Sequence, residues 1–329
     1  MQNVLNNLVQ HQTLSKSEAE ETIYTIVNGK LSSERITGLM VAMQARLITL
    51  KEIAGFRKAL LNLAIVPKID GTNAIDLCGT GGDGKNTFNI STTTAFVLAS
   101  MGYKVIKHGN YGVSSMCGSS NVLEAMGVTF TNDSQELDEQ LTAFNLCFLH
   151  APLFHPALKE VAQMRKGLGI PTFFNIMGPL VNPVQPDYQL TGTFNLSVAR
   201  MYHHLLQKCR KNYKVIYTLD GYDEISLTDD TRIFGKHEDA IFHPSQLHLK
   251  TLTAESLEGG ATIEEAVHIL QSILQGKGTT AQHQVVCSNT AHAIQTMAPH
   301  RKLDELFQEI DDHLKSGKPF ELVTKFLNK

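Results

Sequence analysis

The chain has 329 residues, a formal net charge of -3, 42% hydrophobic residues and 19% charged residues. That length exceeds what one small core holds, so a large domain with a smaller companion is expected, of ordinary globular composition. The slight acidity disfavours nucleic acid as the main partner, because phosphate-backbone binding needs a basic face. The five cysteines are scattered, odd in number and without a CxxC pair, which indicates neither a disulfide framework nor a zinc site. The N-terminus lacks a basic segment followed by an apolar core, and no apolar run approaches the ~20 residues that span a bilayer. A cytoplasmic protein with no membrane partner is expected.

Residues 1–65 read as helices. Ser15 with Glu18, and Thr49 with Glu52, each match the S/T-x-x-E capping box. Ile36, Leu39, Met40 and Met43 recur at helical spacing. Asn28-Gly29 separates two of the helices and Pro67 ends the set. From residue 74 the pattern changes to alternating strands and helices. Strands are predicted at Ala74–Leu77, Lys104–Lys107, Leu146–Leu149 and Lys214–Leu219. Helices are predicted at Thr92–Met101, starting at Ser91 or Thr92, and at Ser119–Met126, His155–Leu168 and Leu196–Cys209. The tail from about 262 is mostly helical. Phe242–Leu249 reads equally as strand or loop. Such alternation implies an α/β sheet flanked by helices.

Two loops stand out, one after each of the first two strands. The first runs Gly79-Thr80-Gly81-Gly82-Asp83-Gly84 and on through Thr87, Asn89, Ser91 and Thr92. Gly79, Gly81 and Gly84 satisfy G-x-G-x-x-G. A dinucleotide fold, however, needs an acid at the end of the next strand, and here stands the basic pair Lys107-His108. No Gly-Lys-Ser/Thr follows at the Walker spacing. A phosphate cradle fits better. Glycines let successive N–H groups face a ligand, and a helix N-terminus beyond them favours an anion. A tight turn followed by an ordinary helix cap would also account for the stretch. The second loop, Lys107-His108-Gly109-Asn110, offers a cation and a hydrogen-bonding amide, and Ser115 and Ser119 beyond it can hold phosphate oxygens. His108 by itself reads as a scaffold residue, with no obvious acid partner in sequence.

Asp76-Leu77-Cys78-Gly79-Thr80-Gly81-Gly82-Asp83, Asn89-Ile90-Ser91-Thr92 and Lys107-His108-Gly109-Asn110 resemble the anthranilate phosphoribosyltransferases. So do Ala151-Pro152-Leu153-Phe154-His155-Pro156-Ala157, Arg165, Asn175-Ile176-Met177-Gly178-Pro179-Leu180-Val181-Asn182-Pro183, and Gly221-Tyr222-Asp223-Glu224. The resemblance runs in order along the chain. It implies a small helical N-terminal domain of residues 1–65, joined by part of roughly 160–195. It also implies a large α/β domain of residues 70–329 with a central mixed, mainly parallel sheet, of the nucleoside phosphorylase and class II phosphoribosyltransferase type. It further implies transfer of phosphoribose from phosphoribosyl pyrophosphate to the amine of anthranilate, in tryptophan biosynthesis, with two Mg²⁺ per subunit.

By the same resemblance, Gly79, Gly82, Asp83, Thr87, Asn89, Ser91, Thr92, Lys107, Ser115 and Ser119 bind the sugar pyrophosphate. Gly79, Asn110 and Arg165 contact anthranilate, with His108, His155 and Pro179 lining its path. Ser91, Asp223 and Glu224 hold the metals, and the helical domain forms a homodimer. Taken alone, Asp223-Glu224 beside the turn signal Asp220-Gly221 reads as a solvated turn, and Arg165 beside Lys166 as a surface arginine. Tyr111, Gly112, Met116 and Pro171 depart from the commoner pattern and leave the second loop with less positive charge. Pyrimidine nucleoside phosphorylases and a non-enzymatic nucleic-acid-binding relative of the same fold are the rival classes. The first is not expected to carry the acid pair with Arg165. The second is expected to lack the acids and to show a basic groove.

Overall fold

A computed structural model describes residues 2–112, 117–209 and 212–328. The chain divides into two compact units, one of Met1–Val66 with Ala151–Pro183 and one of Pro67–His150 with Val184–Lys329. No helix among the described residues is long and apolar enough to cross a membrane.

The first unit is helical. Its helices Gln2–Val9, Lys16–Val27, Ser33–Gln44 and Leu50–Asn62 are joined by Lys159–Leu168 and by short 3-10 turns at Phe173–Ile176 and Gly178–Leu180. Both expected capping boxes form, with Ser15 and Thr49 accepting from the N–H groups of Glu18 and Glu52 while the glutamates reach back. Each box satisfies two orphan donors at a helix start. Gly55 lets helices Lys16–Val27 and Leu50–Asn62 close up, since a Cβ there would lie 2.3 Å from the carbonyl of Lys16. Ile23, Met40, Met43 and Ile53 fill the interior, and Phe56 stacks on Phe173 with centroids 4.6 Å apart. Burial of a ring such as Phe56 contributes roughly 2–3 kcal/mol.

The second unit is built on a seven-stranded sheet. Its strands are β1 (Ala74–Leu77), β2 (Lys104–Gly109), β3 (Leu146–His150), β4 (Tyr188–Gly192), β5 (Asn212–Thr218), β6 (Thr231–Gly235) and β7 (Asp239–Phe242). Their order is β3-β2-β1-β4-β5-β6-β7. The first five run parallel, and β6 and β7 add two antiparallel strands. The expected mixed, mainly parallel sheet with a small helical domain is thus the architecture found. Helices Ile90–Ser100 and Thr280–Met297 are buried along most of their length and pack together with the sheet. From β1 the chain winds outward through β2 and β3, then returns to lay β4 on the other side of β1. Strand order therefore reverses between β1 and β4. In open α/β sheets the loops at such a point diverge and leave a crevice at the carboxyl ends.

Three local expectations change. The helix after the glycine loop runs Ile90–Ser100 with Asn89 at its N-cap, so Ser91 and Thr92 lie within its first turn rather than marking its start. Asn89 makes no side-chain cap, and its Nδ2 instead donates to the carbonyl of Cys117 at 3.1 Å. Strand β4 escapes a hydrophobic reading because Gln189 and Thr191, both polar, are buried in it. Phe242–Leu249 is neither one strand nor one loop. β7 ends at Phe242 and a 3-10 turn follows at Pro244–Leu247.

Candidate active site

The site in the α/β unit forms where β1, β2 and β4 end. The glycine loop leaves β1 and is pinned to β4 by the Thr80 N–H, which donates to the Gly192 carbonyl at 3.0 Å. Gly81, Gly82 and Gly84 all take positive φ, of 63°, 81° and 69°. Side chains rarely adopt that conformation, which accounts for three glycines within four residues. The loop then turns back toward helix Ile90–Ser100 past Thr87, which bridges Glu258 in an antiparallel pair.

Asp223 lies on the floor of this loop. Its Oδ2 accepts the Gly81 N–H at 2.7 Å. A Cβ on Gly79 would lie 2.3 Å from that oxygen, and one on Gly192 only 1.5 Å from the Asp223 carbonyl. Glycine just past the end of β1 and at the end of β4 is therefore what admits residue 223. Asp223 is 8% exposed, so the solvated turn that the dipeptide alone suggests is not what the chain builds.

Three carboxylates crowd this place. Burial raises the Asp83 carboxyl above the usual range. Asp223 is raised by burial and then by the charge of Asp83. Glu224 is raised by burial and then by Asp223, while Lys107 and a hydrogen bond from Ser91 pull it back. Lys107, 2% exposed, donates to the Leu77 carbonyl and, at 3.1 Å, to Ser91 Oγ. A second cation stands nearby, with Lys85 Nζ 4.6 Å from the centre of the Tyr222 ring.

A small cavity opens between Gly79, Ser91, Thr94, Gly192, Glu224 and Asn289. The hydroxyl of Thr94 in its lining is buried and has no hydrogen-bond partner among the described residues. A buried hydroxyl without a partner costs free energy, as do crowded buried acids. Both suit a site that receives a hydrated hard cation. Among the described residues no three His, Cys, Asp or Glu side chains converge tightly enough to hold an ion unaided. Mg²⁺ takes one or two carboxylates and completes its shell with water and phosphate oxygens, and Asp223, Glu224 and the Ser91 hydroxyl are donors of that hard-oxygen kind.

The second loop is well anchored. Strand β2 carries Lys107 and His108 to its end, both buried, and the His108 N–H donates to Asp76 Oδ1 on β1 at 3.1 Å. Asp76 is the acidic neighbour that linear inspection misses, because the pairing of β1 with β2 brings it there. Asn110 is exposed, and its Oδ1 accepts the Tyr111 N–H at 2.8 Å. Ser119 Oγ donates to the Asn110 carbonyl at 3.4 Å. Asn121 Oδ1 accepts the N–H groups of Gly112 and Gly118, each at 3.0 Å, and so ties the two ends of the loop together. Tyr111 donates to Glu124 at 2.7 Å and meets the His150 ring edge-on at 4.7 Å. Tyr111 is thus held by a hydrogen bond and an aromatic contact. Ser115 and Met116 lie outside the described residues.

The α/β unit brings together Gly79, Asp83, Ser91, Lys107, Asp223 and Glu224, with Gly82 exposed on the loop above and Thr87 and Asn89 along the path into the helix. Thr92 is buried. Gly192, Thr94 and Gly259 stand outside the motifs legible in the sequence, and Asp76, inside one, reaches His108 only through the pairing of β1 with β2. Gly259 touches the first loop so closely that a Cβ would lie 2.5 Å from the Thr87 carbonyl.

Arg165, His155 and Pro179 belong to the helical unit. Arg165 ends helix Lys159–Leu168 and is half-buried against Phe174, 5.7 Å from its ring centre. Its pKa is lowered, with burial the cause, and among the described residues no carboxylate pairs with it. It is therefore not the surface arginine that Arg165-Lys166 suggests in isolation. His155 is buried and its Nε2 donates to the Val181 carbonyl at 2.8 Å, so that edge of the ring serves the frame. Pro179 is buried in the turn Gly178–Leu180.

A helical bundle preceding an α/β unit with glycine-permitted acids at its switch point has counterparts among known proteins. Residues 2–64 match the model of the glycosyl transferase family, helical bundle domain, and residues 71–320 that of the glycosyl transferase family, a/b domain. The anthranilate phosphoribosyltransferase of Christiangramia forsetii is 47% identical over 328 residues, spanning 99% of this chain and 98% of that protein. That of Flavobacterium johnsoniae is 47% identical over 325 residues, with the same shares covered. The crystal structure of the Thermus thermophilus enzyme superposes with a TM-score of 0.90 at 29% identity, covering 98% of both chains. A Saccharomyces cerevisiae enzyme solved with PRPP and Mg shares the fold at 23% identity, with a TM-score of 0.90 over 100% of this chain and 98% of that one. The class is thus a glycosyl transferase with a helical and an α/β domain. Within it, the chain belongs to the anthranilate phosphoribosyltransferase family.

Proposed function

We propose that the protein transfers the phosphoribosyl group from phosphoribosyl pyrophosphate to the amine of anthranilate, giving phosphoribosyl-anthranilate and pyrophosphate, a step of tryptophan biosynthesis. The observation that carries this is the crowding of Asp83, on the glycine loop, with Asp223 and Glu224 beside it, while the next strand supplies Lys107. Family membership at 47% identity over nearly the whole chain supports it.

The donor side is assigned to Gly79, Gly82, Asp83, Thr87, Asn89, Ser91, Thr92, Lys107, Ser115 and Ser119. Loop N–H groups and the N-terminus of helix Ile90–Ser100 attract the pyrophosphate. Buried Thr92 contributes through its main chain. Ser91, Asp223 and Glu224 would hold Mg²⁺, two ions per subunit. The metal would supply charge neutralisation for the leaving pyrophosphate. Lys107 adds a fixed positive charge beside Ser91, already oriented by the Leu77 carbonyl. Such preorganised charge acts where negative charge develops.

The acceptor side is assigned to Gly79, His108, Asn110, His155, Arg165 and Pro179. The Arg165 fork grips the anthranilate carboxylate, a bidentate match for a guanidinium. The aromatic amine is neutral at pH 7 and already nucleophilic, so holding it against the ribosyl carbon supplies most of the chemistry. Attack opposite the leaving group inverts that carbon.

Two tests follow from these assignments. Pyrophosphate should be released one-for-one with anthranilate consumed, cease on chelation with EDTA and return when Mg²⁺ is restored. Release without anthranilate consumption, or turnover indifferent to EDTA, would sink the proposal. The helical unit leaves Val9, Val41 and Leu47 exposed, which suits a homodimer contact formed through that unit. Sedimentation at micromolar concentration should then give twice the chain mass, and a monomer alone would count against the dimer.

A further inference from the structure

Arg165 is oriented by a neutral group. Its Nη2 donates to Asn175 Oδ1 at 3.4 Å. The same oxygen accepts the Thr172 N–H at 2.9 Å and the Thr172 hydroxyl at 3.3 Å, closing the cap of the turn Phe173–Ile176. Three donors thus converge on one amide oxygen. A carboxylate would satisfy the same three donors, and would bind a guanidinium more strongly than an amide does. In geometry and capping the acid is the better residue. What the amide avoids is the charge.

We propose that Asn175 is a positioning residue for the acceptor site, aiming the Arg165 guanidinium through a neutral oxygen and so reserving its positive charge for the carboxylate of the substrate. The proposal rests on Arg165 as the anthranilate anchor and adds the means by which that anchor is kept available. Its surroundings agree. The cation is half-buried over Phe174 with no carboxylate partner among the described residues. A charge already drawn from water gains most from an arriving counter-ion and loses most if one is built in beside it. An acid at position 175 would make the substrate compete with the chain for Arg165.

Asn175→Asp tests this directly, because it keeps the shape and every acceptor contact and adds only charge. The anthranilate KM should rise about a hundredfold, as expected when a buried charge pair is pre-empted. The KM for phosphoribosyl pyrophosphate should stay within about twofold, since Asn175 is not among the residues assigned to the donor side. A second readout is charge preference. Turnover of 2-aminobenzamide, the neutral analogue, should suffer far less, so selectivity for carboxylate over amide should fall by about tenfold or more. An unchanged anthranilate KM, or equal rises for both substrates, would overturn the inference. Asn175→Ala is the companion, in case the aspartate variant does not fold. With the aim lost but no charge added, the anthranilate KM should rise about tenfold alone, and no rise would overturn the inference. Arg165→Ala run in parallel separates the two levels. If it weakens anthranilate and Asn175→Asp does not, the positioning role falls and the function stands. If neither weakens anthranilate, the acceptor assignment itself falls.

Discussion

Replacing Asp223 with asparagine and Glu224 with glutamine together should remove turnover, by at least about a thousandfold, while the protein stays folded. The side chains keep their volumes, and Asp223 is held by its Gly81 hydrogen bond in a niche that Gly79 and Gly192 leave open. Asparagine fills that niche equally well. Neutral amides also relieve the repulsion that, with burial, raises both carboxyls. The melting temperature should therefore match or exceed that of the native chain. Activity measured with excess Mg²⁺, beside a thermal melt, checks both halves. Retained turnover would remove the metal assignment.

Arg165→Ala should raise the anthranilate KM about thirty- to a hundredfold, the worth of a lost charge-assisted bidentate contact. The KM for phosphoribosyl pyrophosphate should move by no more than about twofold. Arg165 neither caps a helix nor pairs with a carboxylate among the described residues, so its loss should cost little stability. Steady-state kinetics with each substrate varied in turn decides the matter. Parallel rises in both KM values would give Arg165 a different role.

What could be foreseen and what could not divides along sequence distance. The glycines at 79, 81, 82 and 84, with the lysine ending the next strand, lie within one strand–loop–helix–strand stretch, and their chemistry shows in linear order. Asp223 and Glu224 read alone as a turn, because nothing local signals burial. They are buried because β4 returns beside β1 and brings Gly192 opposite Gly79, a pairing between residues more than a hundred positions apart. Asp76 beneath His108 was hidden for the same reason. The helix starts one or two residues earlier than its sequence suggests, because Ser91 and Thr92 look like caps. The true N-cap, Asn89, spends its amide on the carbonyl of Cys117 across the second loop instead. β4 went unseen because its buried Gln189 and Thr191 break the apolar pattern, and Thr191 Oγ1 donates to the Cys78 carbonyl at 2.5 Å just below the glycine loop. At these positions tertiary pairing outweighs local preference.

The identity of the two substrates is open to one optical measurement. Anthranilate fluoresces and loses that fluorescence when its amine is ribosylated. The purified native chain, mixed with anthranilate, phosphoribosyl pyrophosphate and Mg²⁺, should extinguish the signal, and leaving out any one of protein, donor or metal should preserve it. Persistent fluorescence with folded protein across a wide range of Mg²⁺ would contradict the assignment of this chain as a phosphoribosyl transferase acting on anthranilate.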